Sequence, residues 1–326
     1  MNTQSDIFDF SDLNPELIMK TVENHCSVFL DGSLTPYNSY INRVFGVKDE
    51  DEKDYIVKFY RKGRWSQQAI EDEHTFLLDC EKDEIPVIPA LANSDGLTIG
   101  ASEGYLFAVF PRLRARTFDV YGENDWIRIG SLIGRLHTCA QKKEAPARLT
   151  CTPEATTASY IDLFLSNNLV HPEVKNEFED ICKQTLEIIS PLFSGIPFLR
   201  VHGDCHRGNI LENRDGELTL IDFDDMMSGP AIQDLWLLLP GHLEDSRKEM
   251  NLILEGYEQF YPFHRETLNL VEPLRFMRQI YFLSWQAMQR NDSGFRERNS
   301  EWGTRAFWMT ETEDLKTQLM HISKTL

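Results

Sequence analysis

Asp204, Asn209 and Asp222 lie in one stretch, V-H-G-D-C-H-R-G-N-I-L-E-N-R-D-G-E-L-T-L-I-D-F-D-D at 201–225, and they are the side chains best placed to do chemistry. Asp204 and Asn209 sit five apart on a tight segment. Asp222 follows a short hairpin-like run and the apolar strand Leu218 to Ile221. That order suits a general base and two magnesium ligands converging on a triphosphate. A base must be a carboxylate beside the attacking hydroxyl. Mg²⁺ is a hard cation that takes oxygen from carboxylate, amide, phosphate and water, not thiolate or imidazole. Taken singly, each residue could be a turn residue or a helix cap. Together on one segment they point to phosphoryl transfer.

Holding such groups in place takes more than one core, and 326 residues suffice for two lobes of ordinary size. With 41% hydrophobic and 26% charged residues and no low-complexity run, the chain reads as globular throughout. No apolar stretch approaches the ~20 residues that cross a bilayer. The start, M-N-T-Q-S-D-I-F-D-F, lacks the basic-then-apolar order of a secretory signal, so no membrane partner is expected and the cytoplasm is the expected location. Six cysteines are scattered without a C-x-x-C pair, which argues against structural zinc and a disulfide scaffold. A formal charge of −19 argues against nucleic acid, which needs a concentrated basic surface.

The supporting elements follow from local pattern. Asn14 then Pro15 is a helix start that continues through Glu16 to Cys26. Short strands are expected at Ser27–Leu30, Tyr40–Val47 and Tyr55–Tyr60, broken by D-G-S-L-T-P-Y-N-S and K-D-E-D-E-K-D, both turn compositions. Ser66 caps a second helix with Ile70, His74, Leu77 and Leu78 on one face, and strands near Leu97–Ile99 and Tyr105–Phe110 complete a small antiparallel sheet. From Asp125 the texture is helical: Trp126, Ile129, Ile133 and Leu136 form one apolar stripe, and Thr152-Pro153 opens a helix running to Phe164. Further helices are expected over 173–189, 232–239, 247–260, 274–289 and 311–322. The resulting division is 1–111 as an N-terminal nucleotide-binding lobe and 112–326 as a helical catalytic and substrate lobe, an α+β fold.

The motifs resemble the protein-kinase-like superfamily in its aminoglycoside-phosphotransferase branch, and more narrowly the bacterial stress response kinase A group, also called the YihE/RdoA family. The resemblance rests on L-T-P-Y-N-S-Y-I-N-R-V at 34–44, I-V-K-F-Y-R at 56–61, I-G-R-L-H at 133–137, H-G-D-C-H-R-G-N-I-L at 202–211, I-D-F-D-D at 221–225 and G-P-A-I-Q-D-L-W at 229–236. V-E-P-L-R-F-M-R and Y-F-L-S-W, beyond 270, also fit. It implies a bilobal kinase fold that binds ATP and activity on serine or threonine of proteins in a stress response; Mg²⁺ is the expected cofactor and a monomer the expected state.

On that resemblance, Lys58 holds the α- and β-phosphates and Glu73, on the next helix, holds Lys58, although Glu71 and Asp72 are close neighbours. No G-x-G-x-x-G is present. Gly32, Asn38, Ser39 and Tyr40 stand in its place, with backbone amides and the Ser39 hydroxyl as donors to phosphate. Asp204 accepts the hydroxyl proton, and Asn209 and Asp222 hold the metal. Phe110 with Pro111 forms the adenine hinge, His202 braces the loop, and Asp234 is a structural acid. Asp224 and Asp225 either assist the metal or substrate or serve as caps and loop partners. The segment from Asp222 to Pro230 is too short for an activation loop, so activity without loop phosphorylation is expected.

Two rival functions share these residues. A small-molecule kinase for choline, homoserine or an aminoglycoside uses the same catalytic loop and differs only in acceptor. A nucleotide-binding regulator without catalysis would be expected to lack one or more of Lys58, Asp204, Asn209 and Asp222.

Overall fold

Asn14 accepts the Leu17 N–H at 3.0 Å and Pro15 fills the first turn, so the first helix, α1 (Pro15–Cys26), starts as its sequence dictates. The computed structural model of the protein describes residues 10, 12–37, 39 and 41–326. After α1 come β1 (Leu30–Tyr37), β2 (Arg43–Asp49), β3 (Asp54–Phe59), α2 (Gln67–Lys82), β4 (Gly100–Ser102), β5 (Tyr105–Pro111) and the two-residue β6 (Arg116–Thr117). The first five strands form an antiparallel sheet in the order β1-β2-β3-β5-β4.

Several local expectations shift, among them that β2 runs Arg43–Asp49 rather than Tyr40–Val47. The strand expected at Ser27 begins only at Leu30, because Ser27 closes α1 in the left-handed conformation at φ 54°. The segment expected as a turn, D-G-S-L-T-P-Y, is most of β1. That strand is the sheet's edge, where proline is tolerated, and Gly32 at φ 89° sits in the register irregularity between Leu30 and Leu34. β4 falls just after the expected Leu97–Ile99.

Strand alternation delivers the lysine. Val57 and Phe59 of β3 point to one face and are buried with Ile18, Val22, Tyr105, Phe107 and Val109. Lys58 and Tyr60 point to the other, where Tyr60, Ile70, Ala90 and Ala108 are buried together beside α2. Ser66 caps α2 by accepting the Ala69 N–H at 3.2 Å, and Ile70, Glu73, His74 and Leu77 are buried along it. Leu78, expected on the same face, is 45% exposed, as one step of about 100° around the helix from Leu77 requires.

The chain continues as α3 (Glu123–Ala140), α4 (Ala158–Ser166), α5 (Lys175–Ile189), β7 (Phe198–Val201), the hairpin β8 (Ile210–Glu212) and β9 (Leu218–Leu220), and β10 (Met227–Pro230). It ends with α6 (Gln233–Trp236), α7 (Arg247–Tyr257), α8 (Val271–Gln289), α9 (Ser293–Arg298) and α10 (Arg305–Thr325). Ile129, Ile133 and Leu136 are buried on α3 as their spacing predicts. Thr152 caps the next helical run, but Pro153–Thr157 winds as a π-turn before α4 begins. α6 and α7 end short of the expected 239 and 260, and α9 and β6 were not expected. The crossing of α3 and α7 is a backbone contact. A Cβ at Gly130 would lie 1.9 Å from the Ile253 carbonyl oxygen, and one at Gly256 would lie 2.0 Å from that of Ile127.

Two units result. One holds the described residues up to Val120 with Ala145–Arg148 and His206–Met226. The other holds Tyr121–Glu144, Leu149–Cys205 and Met227–Leu326. A single cut after residue 111 therefore needs extension, because β6 pairs with β8 and adds the β8–β9 hairpin to the unit of the five-stranded sheet. The second unit is mainly helical. This is the expected α+β, protein-kinase-like fold. Among the described residues no helix is long and apolar enough to cross a membrane.

Candidate active site

In the sheet-bearing unit, Lys58 sits mid-strand, paired across to Val44 on β2 and Ala108 on β5. Its Nζ bonds Asp222 Oδ1 at 2.9 Å and lies 4.0 Å from Asp224 Oδ1. Burial alone would depress the ammonium. The Asp222, Asp224 and Glu73 carboxylates outweigh it and hold Lys58 well above the usual lysine range. The Lys58 side chain is 10% exposed and that of Asp222 53%, so the lysine is fixed from within while the aspartate faces outward.

Asp222 and Asn209 are brought together by the hairpin. Ile210 pairs with Leu220, and the Ile221 N–H donates to the Asn209 carbonyl at 3.0 Å, so the two positions are neighbours across the ladder end. Asn209 closes a 3₁₀ turn, Arg207–Asn209, and is buried. Asp222 adopts φ 63°, ψ 66°, a left-handed conformation that costs a non-glycine residue about 1–2 kcal/mol and that clusters at functional sites. A single 3₁₀ turn, Phe223–Asp225, then leads into β10, so the segment is as short as expected.

The expected ion pair of Lys58 with Glu73 is not the one formed. Glu73 bonds Arg148 Nη2 at 2.9 Å, both side chains being essentially buried. The same nitrogen donates to the carbonyls of Phe223 at 3.2 Å and Asp224 at 3.1 Å, and the guanidinium lies 4.3 Å from the Trp65 ring centroid. Burial pushes the Glu73 carboxyl upward against the pull of Lys58 and Arg148. With Asp222 and Asp224 already on the ammonium, Glu73 serves the arginine and acts on Lys58 through its charge. Asp72 accepts the Ala147 N–H at 2.8 Å and Glu71 accepts from Gln67 at 2.9 Å, so neither neighbour replaces it.

Arg64 completes the brace. Its Nη2 lies 3.0 Å from Asp224 Oδ2 and 2.5 Å from Asp225 Oδ1. Burial would raise the Asp224 carboxyl, but Arg64, Lys58, Arg148 and a hydrogen bond from Asn42 bring it below the usual range. Asp224 and Asp225 are thus loop partners of an arginine. Phe110, on β5 opposite Ile56, lies 5.9 Å by ring centroid from Lys58 Nζ and meets His74 edge-on at 6.1 Å. Ser39 lies half-buried in the β1–β2 connection. Its neighbours Asn38 and Tyr40, expected to share the phosphate-covering role, lie outside the described residues.

The helical unit holds the segment after β7. Gly203 takes φ 85°, turning the chain at Asp204. Fully buried Asp234 accepts the His202 N–H at 2.7 Å and the Gly203 N–H at 2.9 Å, and also bonds His137 Nε2 at 3.0 Å. Gln233 donates to the Gly203 carbonyl at 2.9 Å, and the Asp204 N–H donates to His202 Nδ1 at 3.3 Å. Asp234 and His202 therefore brace the loop, as expected of them. Arg278 of α8 bonds Asp204 Oδ1 at 2.6 Å.

Sequence reasoning missed Arg64 and Arg148 around Asp224 and Glu73 in the one unit, and Arg278 on Asp204 in the other. Arg278 ends V-E-P-L-R-F-M-R, which marked it only as part of a matching run. Arg64 and Arg148 sit in short connections with no periodicity, and only their partners distinguish them.

A sequence model of the phosphotransferase enzyme family, APH, matches residues 33–270. The chain is 37% identical over 322 residues to the serine/threonine protein kinase RdoA of Salmonella typhimurium, covering 96% of this chain and 95% of that one. It is also 37% identical over 310 residues to stress response kinase A of Escherichia coli K12, covering 94% and 92%. Among solved structures, the amicoumacin kinase hAmiN in complex with AMP-PNP, Ca²⁺ and Ami shares the fold, with a TM-score of 0.74 at 17% identity over 94% of this chain and 95% of that one. On the strength of these matches the chain belongs to the phosphotransferase enzyme family, in its stress response kinase A group, and is a kinase.

Proposed function

We propose that the protein is an ATP-dependent serine/threonine protein kinase that uses Mg²⁺ and acts in the cytoplasm, as a monomer, in a stress response. The observation that carries the phosphate-handling part is the Lys58–Asp222 pair, a lysine kept cationic from within against an aspartate that faces outward. The candidate ligands are oxygens, and among the described residues buried Asp224 Oδ1, 4.0 Å from the Lys58 ammonium, has no hydrogen-bond partner, which suits a hard cation. Asn209 and Asp222 would hold Mg²⁺, which supplies neutralisation of the charge between the β- and γ-phosphates. Lys58 holds the α- and β-phosphates, supported by the charge of Glu73. Ser39 donates to phosphate oxygen and Phe110 borders the adenine. Asp204, kept in place through Asp234, accepts the proton of the attacking hydroxyl. In this reading the nucleotide-binding lobe of 1–111 is extended to 120 and by 145–148 and 206–226, and the remainder serves the acceptor. The name of the Salmonella relative, at 37% identity over nearly the whole chain, favours a protein acceptor.

Purified protein, γ-labelled ATP, lysate proteins and a panel of small alcohols test the reading, with Asp204→Asn as control. Label should appear on protein and fall about 10²–10⁴-fold in the control. Rapid labelling of an alcohol with no labelled protein would make this a small-molecule kinase, and equal transfer by both forms would remove Asp204 from the mechanism.

A further inference from the structure

Arg278 has no role in the reading above, yet it bonds the proposed base. From α8 its Nη2 lies 2.6 Å from Asp204 Oδ1, and its guanidinium carbon lies 5.1 Å from the Tyr281 ring centroid. Tyr281 in turn meets Tyr160 of α4 at 5.8 Å between ring centroids. A guanidinium set against an aromatic ring and bonded at one edge has a fixed direction. Its side chain is still 30% exposed, and one carboxylate oxygen uses only part of a fork of five N–H donors.

An acceptor hydroxyl that gives its proton to Asp204 must approach the carboxylate that Arg278 already holds. Two groups bonded to one carboxylate lie about 4–6 Å apart, inside the ~8 Å over which salt screens charge. Asp204 offsets part of the arginine's charge, but the guanidinium edge turned away from it still presents donors. On a chain of net charge −19, this places a cation where the acceptor's neighbouring group arrives. A cationic alcohol meets repulsion there, whereas a carboxylate or phosphate meets a matching fork.

We propose that Arg278 selects the acceptor: it favours serine or threonine hydroxyls with an acidic neighbour and disfavours cationic small alcohols. The inference rests on the protein-kinase reading with Asp204 as base.

Serine peptides differing only in a flanking Glu, Gln or Lys, together with choline as a cationic alcohol, test it on the parent, Arg278→Gln and Arg278→Glu. The parent should prefer the Glu peptide over the Gln peptide about tenfold in kcat/KM, or ~1.4 kcal/mol, carried in KM and compressed by added salt. Arg278→Gln should shrink the preference to within about threefold with the KM for ATP unchanged, and Arg278→Glu should turn it toward the Lys peptide. If Arg278→Gln turns over too slowly to rank the peptides, binding of the Ser→Ala peptides by fluorescence anisotropy supplies the ranking without catalysis. A parent that transfers phosphate without preference, or a preference that survives Arg278→Gln, overturns the inference and leaves the kinase reading intact. Transfer to no peptide at all by the parent would strike at the protein-kinase reading itself.

Discussion

Replacing Arg148 by Met keeps much of the side-chain volume and removes one guanidinium that holds three groups at once. Glu73 loses its partner at 2.9 Å, and the carbonyls of Phe223 and Asp224 lose a donor at 3.2 and 3.1 Å, all in buried surroundings. Breaking a buried pair by deleting one partner costs about 3–5 kcal/mol. Arg148→Met should therefore lose about 4 kcal/mol out of the roughly 5–15 kcal/mol that folded domains have. Glu73→Gln should lose less alone, and the double variant should be milder than the sum, with a coupling of about 2 kcal/mol. The pair Glu73 and Lys58, linked by charge without an ion pair, should couple by less than about 1 kcal/mol. Urea unfolding followed by tryptophan fluorescence measures all of these, with Trp65, 4.3 Å from the guanidinium, as a local reporter. A loss below about 1 kcal/mol for Arg148→Met, or a larger coupling for Glu73 with Lys58 than with Arg148, would refute this account of how the site is braced.

Asp234→Asn leaves one of two buried backbone N–H groups facing an amide N–H, so it should cost about 3 kcal/mol and lower kcat about 10–10²-fold by loosening Asp204. Single-turnover rates and urea melts measure this, and an unchanged kcat would separate Asp234 from the placement of the proposed base. His74 is pushed down from 6.5 to about 3, first by burial and then by the charges of Lys58 and Arg148. Its folded value lies below the unfolded one, so its contribution is complete above pH 6.5 and is lost as pH falls toward 3, at up to about 1.4 kcal/mol per unit. His74→Gln should flatten the loss of stability over that window, and an identical slope in both proteins would show that the imidazole does not drive it. Gly256→Ala drives a methyl into the Ile127 carbonyl and should cost about 3 kcal/mol or more by forcing α3 and α7 apart. A melting temperature within a degree or two of the parent's would contradict so tight a crossing.

What was legible in the sequence was local. Asn14-Pro15, Ser66 and Thr152-Pro153 announce helix starts because a cap acts on backbone within three residues, and all three do so here. The period of two along β3 puts Lys58 on the α2 face, and the hairpin after Asn209 is written in the turn residues Asn213 to Gly216. β1 was misread because an edge strand accepts Pro36 and Gly32, the residues that usually signal a turn. The braces were illegible for a different reason. Glu73 and Arg148 are 75 residues apart, and Asp204 and Arg278 are 74 apart. Nothing in an isolated arginine tells which distant carboxylate it will meet. The expected Lys58–Glu73 pair was sound in neighbourhood and wrong in partner, because the competition of Asp222 and Asp224 for the ammonium appears only once the chain has folded.

The backbone at position 222 sets one stabilising contribution against another. Asp222 occupies a torsional region native to glycine, at φ 63°, ψ 66°. Exchange for glycine would relieve that tension, worth about 1–2 kcal/mol, but would leave the largely buried Lys58 ammonium without its partner at 2.9 Å. Selection for heat resistance alone therefore has little reason to install glycine there, because what the backbone gains the lysine loses.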